Sequence, residues 1–167
     1  MHVGLKPKNK YYLTFNELLE FEKKYKINLT IPEKILLTNL GITEQILQIL
    51  TNSQIQFKVI NQKELNNVVD RKVQIFLVDS RKILLTAISK IFLDKLPSYV
   101  INDIRLHNIG IGNIIMKYGL ETFKQITEIG YIPKTSCIFR KYNLLYNSEI
   151  ICKIKEIFYF EKNLDLL

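Results

Sequence analysis

Through most of the chain, apolar and polar side chains alternate one by one, which is the period of a strand with one buried face. "QIQFKVINQ" alternates around Ile55, Phe57 and Val59. "VVDRKVQIFLVD" and "KILLTAISKIFL" follow, separated by Asp79-Ser80-Arg81, a hairpin-length turn. "FKQITEIGYI", "SCIFRKYNLLY" and "EIICKIKEIFYF" come last, the final pair joined at Tyr146-Asn147-Ser148. The N-terminal third has the helical period instead. Thr14 and Glu17 form a capping box opening a helix over about 14–25, with Phe15, Leu18, Leu19 and Phe21 as its apolar stripe. "IPEKILLTNLG" predicts a second helix, with Pro32 in its first turn and Gly41 past its end, and "TEQILQILTN" a third, capped by Thr43. A helix-compatible stretch near Leu96 to Leu106 leads to "NIGIGNIIMKYG", a glycine-punctuated loop opening a short helix. The expectation is a single α+β domain over 1–167, with an antiparallel sheet of about six strands, helices packed on one face, and residues 1–12 as a frayed polar tail.

Three strands break the pattern in the same way. Arg71 shares a face with Val69, Val73, Ile75 and Leu77, and Arg140 one with Ile138, Tyr142 and Leu144. Glu156 shares one with Cys152, Ile154, Phe158 and Phe160, while Lys153 and Lys155 take the opposite side. An unpaired ion out of water costs several kcal/mol, so such groups pair internally or line a wet, concave site. Two cations against one anion leave surplus positive charge, which a bound anion completes. Apolar walls, guanidinium forks and a carboxylate suit a small, flat, carboxylated molecule.

The formal charge of +8 and pI near 9.4 change this picture little, because the lysines are spread along the chain instead of gathered in a stripe. A solvated basic surface or a preference for small anions fits better than nucleic acid, and no aromatic-rich RNA-binding strand is present. No apolar run approaches membrane-spanning length, and the first residues lack the apolar segment of a leader, so the protein is expected to work where it is made. Cys137 and Cys152 have no CxxC spacing, and with His2 and His107 the only imidazoles, metal ligation is not expected; both read as core thiols. Usage is skewed toward Ile, Lys, Asn and Leu, which suggests an A+T-rich genome such as an organelle's. With four arginines against twenty lysines, an Arg on an apolar face is the more informative. In "GIGIGN", Gly110 and Gly112 flank Ile111 just before an apolar helix and let backbone N–H groups approach a ligand; a tight turn explains them equally.

The order of these features resembles the chorismate pyruvate-lyase family, and within it the small cyanobacterial and plastid-encoded branch. The resemblance rests on "VDRKV" with Arg71, on "IGIGNII", and on the final hairpin "FRKYNLLYNSEIICKIKEIF", and covers roughly Leu36 to Phe160. The sequence departs from the family pattern at Tyr159, at Ala87 and Ser89, and at Lys124 in "TFK". The resemblance implies an antiparallel sheet with helical flaps over an internal pocket, and elimination of pyruvate from chorismate to leave 4-hydroxybenzoate, a quinone precursor. It implies no cofactor, a small-molecule substrate, no nucleic-acid or membrane partner, a monomer, and a plastid stroma or bacterial cytoplasm as location. Carried over, Arg71 and the Ile111 amide with Gly112 would hold the ring carboxylate. Ile42 would be an apolar flap contact, and Glu156 would face the ring hydroxyl as base or orienter. Arg140 is assigned to the enolpyruvyl carboxylate. A non-catalytic carrier or sensor of an aromatic acid, built on the same pocket, is the alternative.

Overall fold

The computed structural model describes residues 2–8, 11–107 and 109–159. Helices α1 (Phe15–Tyr25), α2 (Ile31–Thr38) and α3 (Thr43–Thr51) follow a short first strand, β1 (Val3–Leu5). Then come β2 (Ile55–Leu65), β3 (Val68–Leu77) and β4 (Ile83–Phe92), the helices α4 (Ser98–Arg105) and α5 (Ile111–Lys117), and the strands β5 (Thr122–Ile132), β6 (Cys137–Tyr146) and β7 (Glu149–Phe158). The strands form one antiparallel sheet in the order β1-β5-β6-β7-β4-β3-β2. No helix among the described residues is long and apolar enough to cross a membrane.

Local chemistry accounts for most boundaries. Thr14 and Thr30 each close a capping box, with Glu17 and Glu33 reaching back to the cap backbone, so both buried glutamates are satisfied within their own first turn. Lys26 and Asn52 end α1 and α3 in the left-handed conformation. Asn66 and Asn67 both carry positive φ and make the tight turn from β2 to β3, a geometry asparagine tolerates best after glycine.

The structure amends the sequence reading in three places. The sheet has seven strands because Val3–Leu5, within the segment expected to fray, pairs with Tyr131, Gly130 and Ile129 of β5. Gly130 permits that pairing: a Cβ there would meet the Phe139 ring and the Val3 carbonyl. Secondly, α3 has Ile42 at its cap and no side-chain cap bond, so Thr43 is already helical and its hydroxyl is free for another partner. Thirdly, β5 slips register between Ile126 and Glu128, and this bulge buries both Ile126 and Ile129 on the inner face where strict alternation would have placed Glu128. Phe160 lies outside the described residues.

The helices cover one face of the sheet. Arg140 of β6 reaches the carbonyl of Asn39 between α2 and α3, and Arg71 of β3 reaches that of Ile109 just ahead of α5. Lys58, Lys72, Lys90 and Lys153 stand exposed on the other face. The core between helices and sheet includes Leu36, Leu37, Leu47, Ile104 and Ile114 against Val69, Ile91, Ile129 and Phe158, all fully buried, with Cys152 among them. Cys137 and Cys152 are both buried free thiols. Because Leu47 anchors α3, Leu47→Ala is expected to cost about 2–5 kcal/mol, read as a lowered midpoint in urea unfolding with an unchanged slope.

Candidate functional site

Strand register brings the three exceptional charges together. Arg140 lies directly opposite Glu156 on β6 and β7, Glu156 opposite Ala87 on β4, and Arg71 opposite Ser89. Arg71 and Glu156 are therefore two strands and two residues apart, about 12 Å backbone to backbone from ordinary strand spacing. Between them opens a cavity of about 350 Å³. Its floor is apolar sheet, including Val73, Ile75, Leu85, Ala87 and Ile154, and its roof is Ile42 of the α2–α3 connection with Ile111, Ile115 and Met116 of α5. A pocket of this size and lining suits one aromatic ring with polar substituents. Gly110, Ile111, Gly112 and Ile42 all border it.

The two arginines have different jobs. Arg140 is fully buried and lies outside the cavity lining. Its Nε donates to Glu156 Oε2 at 2.7 Å, one terminal nitrogen donates to the Asn39 carbonyl at 2.6 Å and the other to Thr43 Oγ1 at 2.9 Å. Every nitrogen of its fork has a protein acceptor, so Arg140 is not placed to take the enolpyruvyl carboxylate assigned to it from the sequence. The chain's alternation marks a buried cation and says nothing of which acceptors the helices bring to it.

Arg71 is the opposite case. It is 3% exposed and borders the cavity, and one terminal nitrogen donates to the Ile109 carbonyl at 2.9 Å. Its Nε and other terminal nitrogen are buried without an acceptor, and its guanidinium lies 5.3 Å from the Phe57 ring centroid. A buried cation with two idle donors bordering an apolar-walled cavity fits a ligand anion.

Glu156 is held as a carboxylate. Thr43 Oγ1 and Tyr142 Oη both donate to its Oε1 at 2.9 Å, while Arg140 holds Oε2. Burial pushes its pKa up, but the Arg140 and Lys124 cations, with the hydrogen bonds from Arg140 and Tyr142, bring it below the usual glutamate value. Three donors leave room for about one more at its remaining lone pair. That arrangement suits accepting a ligand hydroxyl better than removing a proton from carbon.

Two further groups escaped the sequence reading. Lys124 on β5 is 8% exposed, borders the cavity and donates to the Gly41 carbonyl at 2.6 Å. Burial, reinforced by nearby Arg140 and opposed by Glu156 and Glu44, lowers its pKa to about 7. Its signal was present, since Thr122, Lys124 and Ile126 share a face by the same alternation that revealed Arg71. Glu44 of α3 also borders the cavity, and burial together with the Glu156 charge raises its pKa to about 7. A glutamate in a first helical turn reads as an ordinary dipole partner, so nothing in the sequence singles it out.

No family model matches the chain. It is, however, 31% identical over 177 residues to the "Putative lyase MJ0807" of Methanocaldococcus jannaschii, an alignment covering 90% of this chain and 91% of that protein. The chain belongs to that protein's family.

The contrast between the arginines sets two expectations. Arg140→Ala strands a buried carboxylate and should cost about 3–5 kcal/mol by chemical denaturation, whereas Arg71→Met removes a poorly paired cation and should leave the ligand-free protein as stable or more so. Lys124→Met should also stabilise the protein, by roughly 2 kcal/mol or more. With a folded-state value near 7 against the ordinary 10.5, that gain is fully present below pH 7, where the amine is charged in both states, and fades as pH rises toward 10.5. Thermal melts across pH 6–10 would read it.

Proposed function

We propose that this protein is a lyase that eliminates pyruvate from chorismate to leave 4-hydroxybenzoate. The observation that carries the proposal is the pair of unpartnered nitrogens on buried Arg71, at the edge of an apolar-walled cavity that is also bordered by the Glu156 carboxylate. Chorismate carries a ring carboxylate at one end, a hydroxyl at the other and a second carboxylate on its enolpyruvyl arm. Arg71 takes the ring carboxylate, supported by the Ile111 backbone, and the open lone pair of Glu156 accepts the ring hydroxyl. Lys124, whose amine borders the cavity beside the Gly41 carbonyl, takes the enolpyruvyl carboxylate in place of Arg140. The name carried by the archaeal relative is consistent with elimination chemistry.

The chemistry asks little of the protein beyond placement. Aromatisation supplies the driving force, so holding the substrate in the conformer from which the carbon–oxygen bond breaks, and balancing charge on the departing enolpyruvyl group, accounts for most of the work. The apolar roof and floor keep water from the ring. Each carboxylate meets a cation already desolvated by the fold, so the protein's charges do not need to reorganise as the substrate reacts.

Incubated with chorismate, the purified protein should release 4-hydroxybenzoate, followed by its ultraviolet absorbance or by chromatography. Arg71→Ala should weaken 4-hydroxybenzoate binding by roughly 10- to 100-fold. Absence of product together with retained 4-hydroxybenzoate binding would replace the enzyme by an aromatic-acid carrier, and failure to bind either compound would remove both.

A further inference from the structure

Glu44, half-buried at the cavity wall, stands apart from the three buried glutamates among the described residues. Glu17 and Glu33 are consumed by their own capping boxes, and Glu156 by Arg140, Tyr142 and Thr43. Among the described residues no hydrogen-bond donor reaches the Glu44 carboxylate. Its carboxylate lies close against the glycine loop: a Cβ at Gly110 would collide with its Oε1, and one at Gly112 would lie 3.7 Å from its Oε2. The bare Cα of Gly110 thus leaves room for this carboxylate.

Its location is a boundary. Ile42, Glu44 and Phe57 border the cavity and also a separate groove on the outer side of α3 that includes Gln45, Gln48 and Asn113. One side of Glu44 therefore faces the space for the ligand and the other a polar groove. The charged and titratable groups facing it across the cavity are Arg71 on β3, Lys124 on β5 and Glu156 on β7, with Tyr142 on β6 and Glu121 also bordering the cavity. Arg71 and Lys124 favour its ionised form; burial and Glu156 oppose it. A dianionic ligand occupying the two cations takes away that support and adds negative charge, so binding drives a proton onto Glu44.

We propose that Glu44 is the proton-carrying catalytic residue of this cavity, taking up a proton as the aromatic acid precursor binds and delivering it to the departing group. The inference rests on the lyase reading above. Neutral Glu44 gives its proton to the bridging ether oxygen as the ring carbon–oxygen bond breaks, the electron pair of that bond going to the oxygen. The enol acid so released tautomerises to pyruvate. The ring, left as a cation, then loses the hydrogen from the carbon bearing the hydroxyl. That proton passes to the Glu44 carboxylate while the carbon–hydrogen electron pair completes the aromatic ring. Glu44 ends protonated as it began, and Glu156, locked as an anion, holds the hydroxyl throughout. An acid whose pKa is near neutrality is matched to such a cycle.

The test compares wild type with Glu44→Gln and Glu44→Asp, using chorismate as substrate and 4-hydroxybenzoate as the binding probe. Glu44→Gln copies the neutral acid in shape but has no proton to give. Its kcat should fall roughly 100-fold or more with KM changed little, and the fall of wild-type kcat at alkaline pH should vanish from the residual activity. Glu44→Asp should recover part of the rate. Calorimetry near pH 7.5 in two buffers of different ionisation enthalpy should show proton uptake when wild type binds 4-hydroxybenzoate, and clearly less for Glu44→Gln, where only Lys124 is left to take up a proton. Turnover by Glu44→Gln within about threefold of an active wild type, or undiminished proton uptake, overturns the role of Glu44 and leaves the lyase reading standing. A wild type that binds 4-hydroxybenzoate but never forms it from chorismate overturns the lyase reading and the catalytic step with it.

Discussion

The buried contact between Arg140 and Glu156 ties the molecule together. It joins neighbouring strands, and through the Asn39 carbonyl and the Thr43 hydroxyl it also fastens the α2–α3 connection to the sheet. Desolvating two ions is costly, and the geometry offsets that cost by satisfying every nitrogen of the guanidinium while three donors reach the carboxylate. The helical cover is thereby registered on the sheet by directional bonds as well as by apolar packing. The position of α3, and hence of Ile42 and Glu44 on the cavity wall, follows from it.

Against that satisfied pair, Arg71 shows what an unfinished one looks like. Both arginines are buried, both are on strand faces that are otherwise apolar, and both lie near aromatic rings. What separates them is hydrogen-bond accounting: an acceptor for each nitrogen of one, a single carbonyl for the other. A fold retains an incompletely paired buried cation at a stability cost, and the acceptor missing from the protein is the natural place for a ligand's carboxylate.

The cavity also balances groups with opposite tendencies along a single lining. Burial discharges Lys124 and Glu44 toward the same region of pH, while Glu156 stays ionised because its partners outweigh its burial. One carboxylate is thus fixed as an anion and another left able to exchange a proton. The difference comes from donors supplied by the surroundings, since the side chains are chemically identical.

Much of this was legible in the sequence, and the rest was not for definite reasons. Capping boxes at Thr14 and the period-two pattern of β3, β6 and β7 are local, so the helices, the antiparallel hairpins and the inward direction of Arg71, Arg140 and Glu156 could be read from neighbours in the chain. The edge strand at Val3–Leu5 could not, because its partner lies more than a hundred residues away and its docking depends on the bare Cα of Gly130. Thr43 looks like a helix cap, yet its hydroxyl belongs to Glu156, a long-range bond that displaces the cap to Ile42. The sequence by itself determined which charges turn inward, because alternation is a property of one strand. Only the tertiary structure decided which of those charges is satisfied and which faces empty space, because the acceptors for a buried ion come from elements far apart in the chain.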